Sequence, residues 1–484
     1  MKWEQLLNSR RRKDKIKKDA ANPSSLREGR QEIERDYDRL LFAAPTRRLA
    51  DKTQVFPLDL NDSVRTRLTH SHEVSNFARG IGMRLAFEMR EEIFGEMCPG
   101  IVIQRDVPAL LAAIGLAHDL GNPPFGHQGE AAMRSWFNRC LKPLIATAEN
   151  VPDKKIFNDF LKFDGNSQTL RLVTKLQIIN DDFGLNLTYA TLAALIKYPR
   201  PAWEESTLWK KHGYFYSEEN VVNEVWRETG LSMGVRHPFT YLMEACDDIA
   251  YSILDAEDTV KKGLASYQDL INFLQCWANR DDPLISEAVN LIEQKNKEWE
   301  SQKNALSPNE INDLSMQIFR VHATNILIKS TVEAFRQHHP MLLQPGCGVK
   351  DLIGISTGKA LCAALKEFDK TRGYQHKTVL ELELKGSNYI QSLMDMLWTG
   401  INGRASGNGQ YDTPFGRYAY GRISENYRRI FEDPNNILPP LYKEAQLLCD
   451  AISGMTDNYL IRLHDELKSL YEYESRVKSS APQA

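Results

Sequence analysis

The chain has 484 residues, 42% of them hydrophobic and 26% charged, which is long enough to bury a large core. Its formal net charge of −3 argues against a dedicated nucleic-acid-binding protein. The longest run of only Ala, Leu, Ile and Gly spans residues 109–117, far short of the roughly 20 residues that cross a bilayer, so we expect no membrane segment. The N-terminus lacks the apolar stretch of a secretory signal, and seven scattered cysteines without a C-x-x-C pair favour a reducing cytoplasm.

The predicted elements begin with a polar N-terminal segment, residues 1–35, that carries a basic cluster at residues 10–18. This composition is typical of a solvated helix or a frayed terminus, and contact with phosphate or single-stranded nucleic acid is the alternative. Residues 36–54 predict a helix broken at Pro45, because proline lacks the backbone N–H that a helix interior requires. A helix over residues 65–88 follows, since apolar residues recur there at helical spacing.

The next element is a buried helix over residues 108–119, which is apolar nearly all round and has Pro108 at its expected first position. Pro123-Pro124 prevent its continuation, and a further helix is expected over residues 129–140. The stretch between them, residues 117–130, combines two histidines with two carboxylates around the stiff turn. We interpret it as half of a metal site followed by an acid/base pair. The residues concerned are His118, Asp119, His127 and Glu130.

The remainder of the chain predicts further helices and few strands, so the class is mainly α. A capping box, in which Ser307 and Glu310 satisfy each other's backbone N–H groups, is expected to open one of these helices. The predicted helices cover residues 237–262, 284–303, 308–337, 358–369, 389–400, 418–431 and 440–475. The best strand candidate is residues 377–385, and residues 403–414 form a Gly-rich loop.

Two adjacent ligands do not make a tight metal site, so others must come from elsewhere in the chain. His70 is the first candidate, in the helix over residues 65–88. Asp247 is the second, because it lies in an otherwise apolar helix and shares one face with Tyr251 and Asp255 at spacings of four residues. Buried charges require partners. Imidazole and carboxylate together suit magnesium or a first-row divalent ion.

His70, His118-Asp119 and Asp247 together form the H…HD…D signature of the HD-domain phosphohydrolases. The flanking segments are similar to those of the bacterial deoxyguanosine triphosphate triphosphohydrolases. These segments are KTQVFPL (52–58), RTRLTHS (65–71), HDLGNPPFGHQGE (118–130) and YLMEACDDIAYSILDAED (241–258). The segment TPFGRYAYGRISENY (413–427) shows a weaker similarity. The resemblance implies an HD-domain helical phosphohydrolase core over residues 36–265. A helical C-terminal region, residues 266–484, is then expected to complete the fold and provide oligomer contacts.

The resemblance implies hydrolysis of deoxynucleoside triphosphates, preferably dGTP, to a deoxynucleoside and tripolyphosphate with Mg²⁺ or Mn²⁺. The implied metal ligands are His70, His118, Asp119 and Asp247, and the implied acid/base pair is His127 and Glu130. The implied contacts to the triphosphate are Arg67, Asn166, Lys197, Tyr198 and Lys211, and those to the deoxyribose are Gln54, Tyr251 and Asp255. Asp248 is a candidate to orient a ligand histidine.

Two alternatives stay open. The chain could be an HD phosphohydrolase that acts on another nucleotide, or a dNTP sensor that binds single-stranded nucleic acid through its basic cluster. Asn122 stands where some relatives carry a further histidine, which favours one metal ion over two. The resemblance also implies a homo-oligomer, often a hexamer in this family, with residues 403–414 and 417–429 as candidate contacts.

Overall fold

The computed structural model describes residues 1–15, 29–56, 64–98, 100–148, 151, 153–177, 183–277, 282–300, 307–407 and 411–480. Within these ranges the chain folds into helices, and the only β pairings are three isolated bridges, which confirms the mainly α class. None of the described helices is both long and apolar enough to cross a bilayer.

The α-helices are α1 (Trp3–Leu6), α2 (Glu32–Leu41), α3 (Ala44–Arg48), α4 (Arg67–Glu88), α5 (Arg90–Ile93), α6 (Ile103–Ala117), α7 (Gly126–Trp136), α8 (Lys142–Thr147), α9 (Asn158–Leu161), α10 (Gly165–Arg171), α11 (Tyr189–Leu195), α12 (Glu219–Thr229), α13 (Pro238–Lys261), α14 (Tyr267–Cys276), α15 (Pro283–Glu300), α16 (Pro308–Leu342), α17 (Lys359–Phe368), α18 (Lys377–Ile401), α19 (Pro414–Gly421), α20 (Glu425–Glu432), α21 (Pro440–Ser453) and α22 (Asp457–Ser480). Short 3₁₀ turns lie at Arg12–Lys15, Leu49–Asp51, Lys154–Phe157, Tyr216–Glu218 and Ile353–Ile355, and π turns at Phe137–Leu141, Leu172–Leu176 and Asp369–Tyr374.

The buried helix α6 begins five positions earlier than predicted, so Pro108 lies inside it rather than at its start. The earlier start is stabilised by Asp106, whose Oδ2 accepts a hydrogen bond from Val102 N at 2.7 Å. Pro108 also packs closely on the neighbouring helix α4, because a Cβ at Gly82 would lie 3.0 Å from Pro108 Cα. The prediction placed Pro108 at the first helical position and missed its packing role inside the helix.

The strand predicted over residues 377–385 is wrong, since this segment is the first part of α18. Its Leu, Glu and Lys residues favour a helix intrinsically, and the ring of His376 caps the first turn by accepting from Thr378 N. The predicted helices over residues 418–431 and 440–475 are each two helices, α19–α20 and α21–α22. The capping box before α16 is confirmed, because the side chains of Ser307 and Glu310 bond to each other's backbone N–H groups.

Three helices, α4, α6 and α13, pack together at the centre of the molecule. The backbones of α4 and α6 approach closely, because a Cβ at Gly115 would lie only 2.8 Å from Ser75 Cα. Ser75 Oγ also donates to the Ala112 carbonyl at 2.8 Å. This close approach brings the beginning of α4 beside the end of α6.

The buried apolar side chains form two cores. The first core includes Val74 of α4, Leu111 of α6 and Ile249 of α13. The second core includes Met133 of α7 and Leu463 of α22. The stretch 117–130 crosses from one to the other, because Ala117 and Leu120 belong to the first core and Phe125 belongs to the second.

The described part of the N-terminal basic cluster is held on the protein by ion pairs, although the Arg10 side chain is 54% exposed. Arg11 is buried and donates to Asp36 Oδ1 at 2.6 Å and to Glu32 Oε2 at 2.9 Å. The neighbouring Arg10, Arg12 and Lys15 pair with Glu228 and Glu224 on α12. Residues 10–15 therefore dock the N-terminus on the helical body, and residues 16–18 of the cluster lie outside the described residues.

Replacing Asp36 with Ala should destabilise the protein by about 3 kcal/mol or more, because a broken buried ion pair leaves an uncompensated charge. Asp36 is fully buried and also accepts hydrogen bonds from Thr188 and Thr191. The urea midpoint, followed by circular dichroism, measures the loss. Asp38→Ala is the matched control, since its pair with Arg30 is partly exposed and is expected to contribute less than about 1 kcal/mol. Equal shifts in both variants would contradict the prediction.

Candidate functional site

Side chains from three helices meet where α4, α6 and α13 converge. Asp247 Oδ1 lies 3.2 Å from His70 Nε2 and 3.4 Å from His118 Nε2. One candidate ligand atom from each residue lies within 4.8 Å of those of the other two. Both histidines are buried, and Asp247 is half-buried. The arrangement is a compact cluster of two imidazoles and a carboxylate.

His118 is oriented by the backbone of its own helix. Its Nδ1 lies 2.7 Å from the Gly115 carbonyl oxygen, which can only accept, so Nδ1 carries the proton. In the neutral ring, Nε2 then presents its lone pair toward Asp247, and this buried nitrogen has no hydrogen-bond partner. His70 is fixed in the first turn of α4, where Thr66 caps the helix. The donor set and the unpartnered Nε2 fit a divalent cation.

Asp119 lies at the edge of the cluster rather than within it. Its Oδ1 is 3.6 Å from His118 Nε2 and accepts a hydrogen bond from Asn122 at 2.6 Å, and its Oδ2 pairs with Arg67. The sequence put Asn122 where some relatives have a histidine, and here its amide orients the Asp119 carboxylate. A charged hydrogen bond from Arg67 on the other side fixes that carboxylate further.

The charges in the cluster shift the pKa values of its side chains in the direction opposite to the effect of burial. Burial lowers the pKa of a histidine, but Asp119 and Asp247 outweigh it and raise the pKa of His118 to about 9. Burial likewise favours the neutral form of Asp247, yet His118 and Lys197 hold its pKa well below the usual range. The carboxylates therefore stay ionised and draw positive charge to this point, either as a proton or as a metal ion.

Lys197 lies directly against the cluster. Its Nζ is 3.3 Å from Asp247 Oδ2 and 3.8 Å from Glu244 Oε1. These carboxylates raise the pKa of Lys197 even though burial acts to lower it, so the ammonium stays charged. Arg236 holds this segment, because its Nε donates to the Lys197 carbonyl at 2.5 Å and its guanidinium lies over the Tyr198 ring at 5.3 Å. The sequence gave no indication of the role of Arg236.

His127 and Glu130 form a pair on the first turns of α7, which begins at Gly126 and not at the predicted residue 129. His127 Nδ1 lies 3.3 Å from Glu130 Oε2, and Glu130 Oε1 accepts from Gly165 N at 2.8 Å. Glu130 is buried, whereas the His127 side chain is 68% exposed. Burial raises the pKa of Glu130, but the His127 hydrogen bond and the charge of Lys211 outweigh it and lower the pKa to about 2.

Asn166 and Lys211 surround the same carboxylate, Asp164. Asp164 Oδ1 accepts from the Asn166 side chain at 2.6 Å, and Asp164 Oδ2 lies 3.3 Å from Lys211 Nζ. Asp164 also caps α10, the helix whose first residue, Gly165, bonds to Glu130. The predicted Asn166 and Lys211 are therefore neighbours of the His127–Glu130 pair.

The turn between the two halves of the stretch is held in a left-handed conformation. Phe125 has φ 59° and Gly126 has φ 56°, values that non-glycine residues rarely adopt. A Cβ at residue 126 would lie 2.3 Å from Arg67 Nη2, so a larger residue at this left-handed position would displace the Arg67 guanidinium. Arg67 thus contacts the turn on one side and Asp119 on the other, and it connects the metal cluster to the His127–Glu130 pair.

Tyr251 and Asp255 share one face of α13, as predicted from their spacing, and both approach Tyr374. Tyr374 donates to Asp255 Oδ2 at 2.7 Å, and its ring lies 5.7 Å from the ring of Tyr251. The sequence gave no indication of Tyr374, because the π turn Asp369–Tyr374 that places it has no periodic signature. Asp255 Oδ1 and Gln54 Oε1 are buried without hydrogen-bond partners, so both are available to a ligand.

Asp248 does not orient a ligand histidine as proposed from the sequence. Its Oδ1 accepts from Lys366 Nζ at 2.6 Å, and the backbone carbonyl of Gly115 takes the orienting role for His118. Neighbouring residues on a helix point about 100° apart, so Asp247 and Asp248 face different surroundings.

The comparison with known proteins agrees with this geometry. Residues 67–175 match the HD domain family, a range that includes His70, His118-Asp119 and the His127–Glu130 pair. The chain is 33% identical, over 97% of its length, to the whole of a deoxyguanosinetriphosphate triphosphohydrolase-like protein of Listeria monocytogenes. It is 31% identical to a probable deoxyguanosinetriphosphate triphosphohydrolase of Pseudomonas aeruginosa, over 91% of this chain and 92% of the relative. A deoxyguanosinetriphosphate triphosphohydrolase of Klebsiella pneumoniae is 30% identical over 88% and 92% of the two chains.

Proposed function

Because the chain belongs to the deoxyguanosinetriphosphate triphosphohydrolase family, we propose that it hydrolyses deoxynucleoside triphosphates, with dGTP preferred, to a deoxynucleoside and tripolyphosphate. The observation that carries the proposal is the buried cluster of His70, His118 and Asp247, with a second carboxylate and two cations at its edge. A dianionic or more highly charged phosphate chain matches such a mixture of metal ligands and basic side chains.

We assign His70, His118, Asp119 and Asp247 as ligands of one Mg²⁺ or Mn²⁺ ion. Imidazole nitrogen and carboxylate oxygen are donors that both ions accept, and no cysteine belongs to the cluster. When bound, such an ion polarises a phosphate oxygen and lowers the pKa of a coordinated water.

The basic side chains around the cluster are assigned to the triphosphate. Arg67, Lys197 and Lys211 each pair with a carboxylate, so each is held in place before substrate arrives. A guanidinium can bind a phosphate through two parallel hydrogen bonds, and a lysine supplies a point charge. Tyr198 and Asn166, next to Lys197 and Lys211, complete this set.

His127 is assigned to proton transfer, with Glu130 as its anchor. The buried Glu130 carboxylate faces His127 Nδ1, so it stabilises the protonated imidazole and fixes the ring. The exposed Nε2 end of the ring is then free to protonate the departing 5′-oxygen or to take a proton from the attacking water. The 68% exposure of the His127 side chain leaves that end of the ring open to substrate and water.

We assign Tyr251, Asp255 and Gln54 to binding of the deoxyribose. We add Tyr374 to this set because it bonds to Asp255. An aromatic ring packed against C2′ leaves no room for a hydroxyl at that position. Unpartnered oxygens of Asp255 and Gln54 can bond the 3′-hydroxyl, and a substrate without that group leaves them unpaired at a cost of roughly 1–3 kcal/mol.

A nucleotide screen with product analysis tests this function. Incubation with dGTP and Mg²⁺ should release deoxyguanosine and tripolyphosphate in equal amounts, resolved by anion-exchange chromatography or ³¹P NMR. GTP is expected to react at least about 10²-fold more slowly, since its 2′-hydroxyl meets a tyrosine ring. Pyrophosphate or orthophosphate as products would favour a different HD phosphohydrolase. Binding of dGTP without turnover would favour the sensor alternative.

We also propose that the chain forms a homo-oligomer through residues 403–414 and 417–429. In the described part of this region the Arg404 guanidinium lies 3.8 Å from the Tyr420 ring centroid and 4.3 Å from that of Tyr411, so these two residues are joined to Arg404 by cation–π contacts. Tyr418 on α19 is 45% exposed and is available to a second copy. Light scattering coupled to size-exclusion chromatography measures the oligomer size.

A further inference from the structure

The corner between α21 and α22, residues 453–457, contacts both halves of the candidate site. Asp457, the first residue of α22, accepts a hydrogen bond through Oδ1 from Phe125 N at 3.1 Å. Its Oδ2 accepts from Thr53 N at 2.9 Å and also from Thr53 Oγ1. One buried carboxylate therefore joins three regions of the chain that are 332 and 404 residues apart in sequence.

Lys52 forms a second connection at the same corner. Its buried Nζ donates to the Asn122 carbonyl at 2.6 Å and to the Ser453 carbonyl at 2.8 Å. Both carbonyl oxygens are shielded from water, so each depends on the Lys52 ammonium group for its hydrogen bond. Burial lowers the pKa of Lys52 to about 7, although the nearby Asp457 carboxylate opposes the change. The corner thus contacts the turn 122–125 at both of its ends.

The contacted segments are those on which the proposed reaction depends. Phe125 is the left-handed residue of the turn, immediately before the helix that carries His127. A non-glycine residue holds this conformation only when its surroundings select it, and Asp457 supplies the acceptor for its N–H. Thr53 precedes Gln54, which is assigned to the deoxyribose.

The corner also crosses the boundary between the two cores. α22 packs in the second core through Leu460 and Leu463, whereas residue Leu49, just before Thr53, packs in the first. The metal cluster belongs to helices of the first core, and α7 belongs to the second. The relative position of metal and proton donor therefore depends on contacts that bridge the two cores.

We propose that Asp457 is a positioning residue. It holds the turn before His127 and the segment before Gln54 in fixed positions relative to each other, so that the proton donor meets substrate at the metal cluster. It acts through Phe125 and Thr53. This inference rests on the proposed function.

Asp457→Asn and Asp457→Ala test the proposal. Asn keeps the size but replaces one of the two acceptor atoms by a donor, and Ala removes both. We expect kcat to fall about 10-fold in Asn and about 100-fold in Ala, the range typical of residues that orient a reacting group, with KM changed less than about threefold. Mn²⁺ affinity, measured by electron paramagnetic resonance, should equal that of the wild type, because no metal ligand moves.

Asn458→Ala is the matched control. Asn458 is the next residue of α22 and bonds to Asp51, so it connects the same helix to the same segment without contacting the turn. It should leave kcat unchanged. Equal losses of kcat in the Asp457 and Asn458 variants would show a general docking role and overturn the proposal, as would an unchanged kcat in Asp457→Ala.

Hydrogen exchange provides a readout that does not require turnover. The amide of Phe125 or that of Thr53 should exchange faster in Asp457→Asn than in the wild type, because the single remaining oxygen can accept from only one of them, while amides in the middle of α22 keep their protection. If the wild type acts on a nucleotide other than dGTP, the proposed function fails but the exchange result and the kcat for that nucleotide still decide the role of Asp457. Should Asp457→Ala fail to fold, Thr53→Val removes the Oγ1 contact alone and is expected to lower kcat about threefold. Unaltered exchange at both Phe125 and Thr53 in Asp457→Asn would overturn the proposal.

Discussion

Replacing Asp247 with Asn should abolish tight binding of the divalent cation and lower kcat/KM for dGTP by at least about 10³-fold. Asp247 Oδ1 is the atom that both histidines face, at 3.2 Å and 3.4 Å. The substitution removes the negative charge that keeps His118 and Lys197 in place, and an amide is a much weaker ligand than a carboxylate. Titration with Mn²⁺ and steady-state kinetics measure the two losses separately.

The neighbouring residue provides the control for this prediction. The Asp248 side chain has nearly the same exposure as that of Asp247, 27% against 23%, but it pairs with Lys366 away from the histidines. Asp248→Asn should retain metal binding and keep kcat/KM within about fivefold, since a partly exposed ion pair contributes at most about 1 kcal/mol. A comparable loss in both variants would mean that the cluster of His70, His118 and Asp247 is not the metal site.

The parts of the site that the sequence predicted are those with a local pattern. His118 and Asp119 adjoin a proline turn, and Asp247, Tyr251 and Asp255 recur at helical spacing within an apolar helix. Such patterns state which face of a helix is polar, and buried polar groups need partners. They do not state which distant helix supplies the partner. His70 and Asp247 were candidates from their own helices, and the family resemblance joined them to His118-Asp119 as one set.

The parts that the sequence missed depend on long-range contacts. Tyr374 reaches Asp255 from a π turn, and Arg236 reaches the Lys197 carbonyl from the segment before α13. Asp457 lies more than 300 residues from the turn to which it bonds. Each is an ordinary residue in its local sequence, and its importance arises only when the helices pack. The start of α6 was missed for a related reason, because close packing against Gly82 accommodates Pro108 inside the helix.

The two cores explain how one stretch of sequence can carry the two chemical tasks proposed for it. His118 ends a helix of the first core, and His127 begins a helix of the second. The turn between them is therefore both a connection and a spacer, which sets the distance from the proposed metal site to the proposed proton donor. Its stiffness comes from Pro123-Pro124, and its exact position relative to the first core comes from contacts such as those of Arg67 and Lys52.

Replacing His127 with Ala should lower kcat by about 10²- to 10⁴-fold, the range for loss of a general acid or base. Metal affinity and the urea midpoint should stay close to wild type, since the His127 side chain is 68% exposed and is not in the metal cluster. Glu130→Gln should lower kcat to a similar extent, and the double variant little further, because the two residues act as a unit. Exposed His72 on α4 supplies the control, and His72→Ala should leave kcat unchanged.

The pH dependence of the wild type tests whether Glu130 acts as an ionised anchor. Because the pKa of Glu130 is lowered to about 2, its carboxylate contributes to stability fully above its unfolded-state pKa, near 4.3, and that contribution is lost as pH falls through about 2. Glu130 is thus ionised throughout the working range, so we expect no limb of the pH–rate profile to arise from this carboxylate. An unchanged kcat in His127→Ala would assign the proton transfer to another group, and additive losses in the double variant would show that Glu130 acts independently of His127.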